Sequence, residues 1–153
     1  NRLASLKISL SDEDKEKLVA FMPFYFELKD IFVSSDGKEV EATASAAEAG
    51  IADLGIVLED QAHELWFDVQ NKWKQIAKTE DIDKQRFFFK DLNESLLPIL
   101  KAIETYDTPW YIQECPMADN DTGAKWLSLE KNVINPYFGD AMLRCGSVEE
   151  ILQ

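Results

Sequence analysis

Cys115 and Met117 stand two residues apart in "ECPMADNDTGAKWLS" (residues 114–128), and Met142 and Cys145 stand three apart in "GDAMLRCGS" (residues 139–147). These are the chain's two cysteines and two of its three methionines. Thiolate and thioether are soft donors that suit Cu(I) and Ag(I). Side chains two apart on a strand share a face, and residues three apart on a helix are neighbours. Each pair can therefore present its sulfurs together, and two such pairs meeting offer up to four donors. A thioether has no proton to lose, whereas cysteine must deprotonate to bind. The same spacing fits two other outcomes. Cys115 and Cys145 can form a disulfide, which on the chain-entropy model stabilises a fold by roughly 3–4 kcal/mol. They can also be unrelated buried thiols, with the methionines filling core gaps. Spacing leaves these three open, and a site that is closed when oxidised and metal-binding when reduced is compatible with the first two.

Two weaker constellations compete. Asp119, Asp121 and Glu130 occupy the first, third and twelfth places of a calcium loop. The fifth place is Gly123, without a side-chain oxygen, and the sixth, where glycine is needed, is Ala124. The segment reads as a solvated turn. His63, the sole histidine, lies one helical turn after Glu59, a pairing that surface helices make often. No nucleophile motif surrounds a serine or cysteine, and there is neither a phosphate loop nor a dinucleotide fingerprint. A non-enzymatic protein is expected.

The elements that must position the sulfurs read mainly as helices. "SLSDEDKEKLVAFMPFYFELKDIFVSSD" opens with Ser11 and Asp14 at capping-box spacing. Leu18, Met22, Tyr25, Leu28 and Phe32 follow the helical period, with Pro23 predicting a kink or a break. After the Asp36-Gly37 turn signal, Val40, Ala44, Ala47, Ile51, Leu54 and Leu58 make a second stripe. Ala62, Leu65, Val69, Trp73 and Ile76 make a third. Gly50 and Gly55 leave the junction between these two undefined. Ile82, Phe89, Leu92, Leu96, Ile99 and Ile103 make the fourth, bent at Pro98. Trp66, Phe67, Trp73 and Phe87 to Phe89 are expected in the core. The pattern predicts an all-α fold, an up-and-down four-helix bundle over about residues 12–106. An irregular Cys/Met-containing tail, about residues 107–153, packs on it, so that residues 1–153 form a single domain. In the tail "WYIQEC" reads as a short extended piece, Pro136 to Leu143 as one helical turn, and Ser147 with Glu150 as the cap of a last short helix after Gly146. Trp110, Tyr111, Trp126, Tyr137 and Phe138 are expected to pin the tail down.

Bulk properties narrow the function classes. The 153 residues suffice for one domain with a real core. A net charge of −13 disfavours nucleic acid, whose phosphates need clustered Lys and Arg, and anionic membrane surfaces. No apolar run approaches the ~20 residues of a membrane span. The sequence begins at Asn1 without an initiator Met, which suggests a mature or trimmed chain from which a signal peptide or a larger parent has been removed.

Residues 115–152, "CPMADNDTGAKWLSLEKNVINPYFGDAMLRCGSVEEIL", resemble a bacterial domain-of-unknown-function family with the signature CPMA, GA-x-WLS, NPYFG and ML-x-CG. "YFELKDIFVSSD" (residues 25–36) resembles its first helix, so the likeness covers about residues 18–152. That family occurs as exported standalone proteins and fused to membrane-fusion subunits of copper/silver (Cus-type) efflux systems. The resemblance implies a periplasmic or otherwise exported domain linked to heavy-metal handling, with periplasmic efflux components as partners. It also implies Cys115, Met117, Met142 and Cys145 as the family's sulfur positions and Asn135 to Gly139 as a structural turn. The expected function is Cu(I)/Ag(I) binding for buffering or for transfer to an efflux system. The alternative is a structural or protein-interaction module stapled by a Cys115–Cys145 disulfide, without a metal of its own.

Overall fold

A computed structural model describes residues 8–104 and 106–153. Residues 1–7 and 105 lie outside the described part, and with them the chain start at Asn1. Four long helices come first: α1 (Asp12–Phe32), α2 (Gly37–Asp53), α3 (Asp60–Ile76) and α4 (Ile82–Lys101). The chain then forms β1 (Trp110–Cys115), a short helical turn (Ala118–Asp121), β2 (Ala124–Ser128), a single 3-10 turn (Gly139–Ala141) and β3 (Ser147–Leu152).

Side-chain caps explain three of the helix starts. Ser11 and Asp14 form the expected capping box on α1. Asp36 accepts from the backbone N–H groups of Lys38 and Glu39 at the head of α2, and Asp81 does the same for Asp83 and Lys84 on α4. α1 runs through Pro23 without the expected break. The proline sits on the exposed face, while Phe21, Met22, Tyr25 and Leu28 on the other side are buried, so packing outweighs the single lost backbone bond. α4 is likewise continuous across Pro98. Gly37 is needed where α2 begins: a Cβ there would stand 1.9 Å from the Glu80 carbonyl oxygen.

The expectation of an all-α fold is overturned by a three-stranded antiparallel sheet of order β2-β1-β3 in the C-terminal part. β1 pairs with β2 from Tyr111↔Ser128 to Cys115↔Ala124. It pairs with β3 from Trp110↔Leu152 to Glu114↔Ser147, with an irregularity at Ile112/Gln113. Aromatic and β-branched residues favour a pleated surface, with Trp110, Ile112 and Leu127 buried on one face and Cys115, Ala124 and Trp126 on the other. Ser147 and Glu150 do not cap a helix. Gly146, at φ +135°, turns the chain into β3, and Glu150 reaches Lys101 of α4 at 3.2 Å instead. The Gly139–Ala141 turn is what remains of the helical turn expected between Pro136 and Leu143.

One apolar core runs through both parts, from Leu18, Phe21 and Phe32 to Ile112, Trp126 and Leu152. Trp66, Trp73 and Phe89 belong to it, but Phe67 and Phe87 are respectively 64% and 51% exposed, contrary to the core reading. The tail aromatics do pin the sheet onto the helices: Trp110 packs edge-on to Phe26, and Tyr137 packs against Phe89.

Candidate functional site: a thiol pair at the end of the sheet

β1 ends at Cys115, and the chain reaches Cys145 two residues before β3 starts. Because β1 pairs with β3, these two ends coincide, and the sulfurs stand 2.7 Å apart across thirty residues of sequence. Both cysteines are free thiols. Cys115 is completely buried, whereas Cys145 is half-buried.

The loop carrying Cys145 is held from behind by Asn135, which is also fully buried. Its side-chain amide donates to the Cys145 carbonyl at 2.8 Å, and its backbone N–H donates to the Leu143 carbonyl at 2.7 Å. Its side-chain oxygen accepts from the Tyr137 N–H at 2.7 Å. Gly146 allows the close approach: a Cβ there would lie 2.7 Å from the Glu114 carbonyl oxygen and 3.1 Å from the Trp126 ring. On the Cys115 side, Lys90 of α4 grips the following turn, binding Asp119 at 2.7 Å and Thr122 at 2.8 Å. The Lys90 ammonium holds the Asp119 carboxyl below its ordinary range. Asp119 of the calcium-like pattern is thus committed to a lysine.

The methionines are near the pair in the chain but not in the geometry expected of them. β1 stops at Cys115, so Met117 lies in a turn rather than on the same strand face, with its side chain 47% exposed. Met142 leaves the 3-10 turn at φ −150°, so no helix face joins it to Cys145; the link is a backbone bond from the Cys145 N–H to the Met142 carbonyl at 3.1 Å. His63 lies exposed on α3. Among the described residues no group of three or more His, Cys, Asp and Glu could hold a metal ion.

Electrostatics follow from contact and burial. The hydrogen bond with Cys115, with burial adding, holds the Cys145 thiol above the ordinary thiol range, while the Met117 N–H pulls the other way. As a donor set for one soft cation, two thiols and two turn methionines fit in type. The spacing is short: two thiolates sharing a metal at ~2.3 Å bonds stand roughly 4 Å apart. Loading therefore needs the sulfurs to part by about 1 Å.

A second polar cluster, which periodicity did not reveal, fixes the sheet on the helices. The Tyr25 hydroxyl donates to the Asn93 side-chain oxygen at 2.5 Å and accepts from the Leu127 N–H at 2.9 Å. The Asn93 amide donates to the Phe89 carbonyl at 2.9 Å and to the Tyr137 hydroxyl at 3.2 Å, and that hydroxyl donates to the Lys125 carbonyl at 2.7 Å. Every member has partners, as buried polar groups require. Burial pushes the Tyr25 and Tyr137 phenols well above their ordinary value. Asn93 was legible only as a polar residue one turn from Phe89 on the apolar face of α4.

Fold and site together define a four-helix domain closed by a small antiparallel sheet that carries a dithiol at one end. Residues 22–108 match the family model DUF3347, described as a protein of unknown function, and the chain belongs to that family. The matched span covers the second half of α1 and all of α2 to α4, and stops before β1 and the two cysteines. No curated protein and no solved structure matches. No helix among the described residues is long and apolar enough to cross a membrane.

Proposed function

We propose that this chain is a non-enzymatic, exported domain of heavy-metal handling, whose reduced Cys115 and Cys145 hold Cu(I) or Ag(I) for buffering or for transfer to a periplasmic efflux partner. The observation that carries the reading is the meeting of two thiols, one of them half-buried, with Met117 and Met142 two and three residues away in the adjoining turns. Soft monovalent cations accept low coordination by such donors. The two thiolates supply most of the affinity, and the exposed Met117 is placed to assist exchange. The likeness of the tail motifs to a family fused to Cus-type efflux subunits supplies the partner class. Anaerobic titration of the reduced protein with Cu(I) against a competing chelator tests it. The reading expects competition that is lost in Cys115→Ser/Cys145→Ser. No competition, or competition unchanged in that variant, rules the site out.

The 2.7 Å separation favours a second reading, a Cys115–Cys145 disulfide that staples an interaction module without a metal. It needs less movement than cation loading, and on the chain-entropy model it adds roughly 3–4 kcal/mol. Here mild reductant lowers the melting temperature and Cu(I) does not restore it. Unchanged melting on reduction of an oxidised sample removes this reading.

A further inference from the structure

The two sulfurs are in contact but are not equivalent. Cys115 has no exposed surface, enclosed at the end of the central strand between β2 and β3. Cys145 is half-buried, in a loop where Arg144 and Ser147 are exposed and Gly146 adds no side-chain bulk. Thiol–disulfide exchange proceeds by in-line attack of a thiolate on a disulfide sulfur, so the attacking sulfur must be reachable from outside. Cys145 meets this condition and Cys115 does not. In the free pair the Cys115 sulfur lies 2.7 Å from that of Cys145, so it is the nearest internal nucleophile once Cys145 carries a substituent.

We infer that Cys145 is the entry thiol and Cys115 the resolving thiol of a directional exchange pair, with low-molecular-weight disulfides as the co-reactant. In the first step the Cys145 thiolate bonds to one sulfur of the small disulfide. That S–S bond breaks, and one small thiolate leaves and takes up the proton given up by Cys145. In the second step the Cys115 thiolate bonds to the Cys145 sulfur, the mixed disulfide breaks, and the second small thiolate leaves and takes up the Cys115 proton. Two protein thiols are oxidised to one disulfide, and one small disulfide is reduced to two thiols. The exchange uses the same sulfurs as the cation reading but needs no cation, so it is tested in chelator-treated buffer and can fail or succeed independently of the Cu(I) titration.

The experiment exposes reduced, metal-free protein to oxidised glutathione, quenches by rapid alkylation, and follows intact mass and peptide maps. Wild type passes through a single glutathione adduct, mapped to Cys145, and ends as the chain lacking two hydrogens with no adduct. Cys115→Ser accumulates a stable adduct, at least ~10-fold faster than Cys145→Ser does while folded. Adduct first appearing at Cys115 in wild type, equal rates in the two variants, or a wild-type adduct that persists overturns the inference. The wild-type map decides even where Cys115→Ser does not fold.

Discussion

The helices and the sheet are held together in different ways. In α1 to α4 the buried residues recur at helical spacing within each segment, and three of the helices begin at a side-chain cap three or fewer residues from its target. The sheet has little of its own. It meets α1 and α4 through β2, through Trp110 of β1 on Phe26 and through Glu150 of β3 on Lys101, and the polar bonds that align it span 68 residues (Tyr25–Asn93), 102 residues (Tyr25–Leu127) and 44 residues (Asn93–Tyr137). Long-range polar bonds, added to apolar packing shared with the helices, therefore decide where the dithiol sits, while periodic apolar stripes decide that there is a bundle at all. A dithiol function depends on the first kind of contact, which single substitutions break most easily.

The largest effects separate the two regions. Trp73→Ala removes a buried indole that also donates to the Ala44 carbonyl, and should lower stability by about 3–5 kcal/mol, with helix and tertiary signals lost together. Trp126→Ala should cost a similar ~3–5 kcal/mol, because that ring has no exposed surface. Here the thiols should lose their proximity at lower urea than the far-ultraviolet helix signal, and coincident transitions would erase the distinction. Next comes Asn93→Ala, which takes from the Tyr25 hydroxyl its acceptor and from the Tyr137 hydroxyl its donor, leaving each with one partner. An expected loss of about 1–3 kcal/mol is read from the urea midpoint. Gly146→Ala forces a Cβ onto the Glu114 carbonyl at positive φ and should cost about 1–3 kcal/mol, chiefly in thiol proximity.

The phenols give a pH signature. Tyr25, Tyr137 and Tyr106 are all raised above the ordinary value of 10.0 by burial, Tyr106 to about 12. Below that ordinary value they are neutral in both states and the fold keeps their full contribution. Above it the unfolded chain ionises first, so stability falls as pH rises from about 10 through about 12. Urea midpoints at about pH 8 and about pH 11 should show this fall, and Tyr25→Phe should shrink it. The smallest effect belongs to the bundle: Asp36→Ala removes the α2 cap and should cost about 1 kcal/mol without moving the thiols.

The same contrast explains what the sequence made legible. Ser11 with Asp14, the stripe from Leu18 to Phe32, and the turn at Asp36-Gly37 are local signals, and the structure follows them. The sheet was half legible. "WYIQEC" read as extended, but its partners lie about ten and forty residues downstream, and no short-range signal announces such pairings. Ser147 and Glu150 carried a true capping pattern that lost to strand pairing with β1 and to the Lys101 contact. Cys115 and Cys145 stand 2.7 Å apart, a proximity that their spacing left open beside the alternative of unrelated buried thiols. The methionines were placed by strand and helix periodicities that neither segment adopts. Tyr25 read as one more apolar position and Asn93 went unremarked, since a network across 68 residues has no period.

The claim on which the account rests is that the C-terminal third folds back so that Cys115 and Cys145 touch. A bifunctional thiol reagent that fluoresces only when it bridges two neighbouring sulfurs, added to reduced, metal-free monomer, measures this directly. The account predicts one intramolecular bridge per chain, joining the Cys115 and Cys145 peptides and abolished in urea. Two separate single modifications in the native protein, or bridges only between chains, would contradict it.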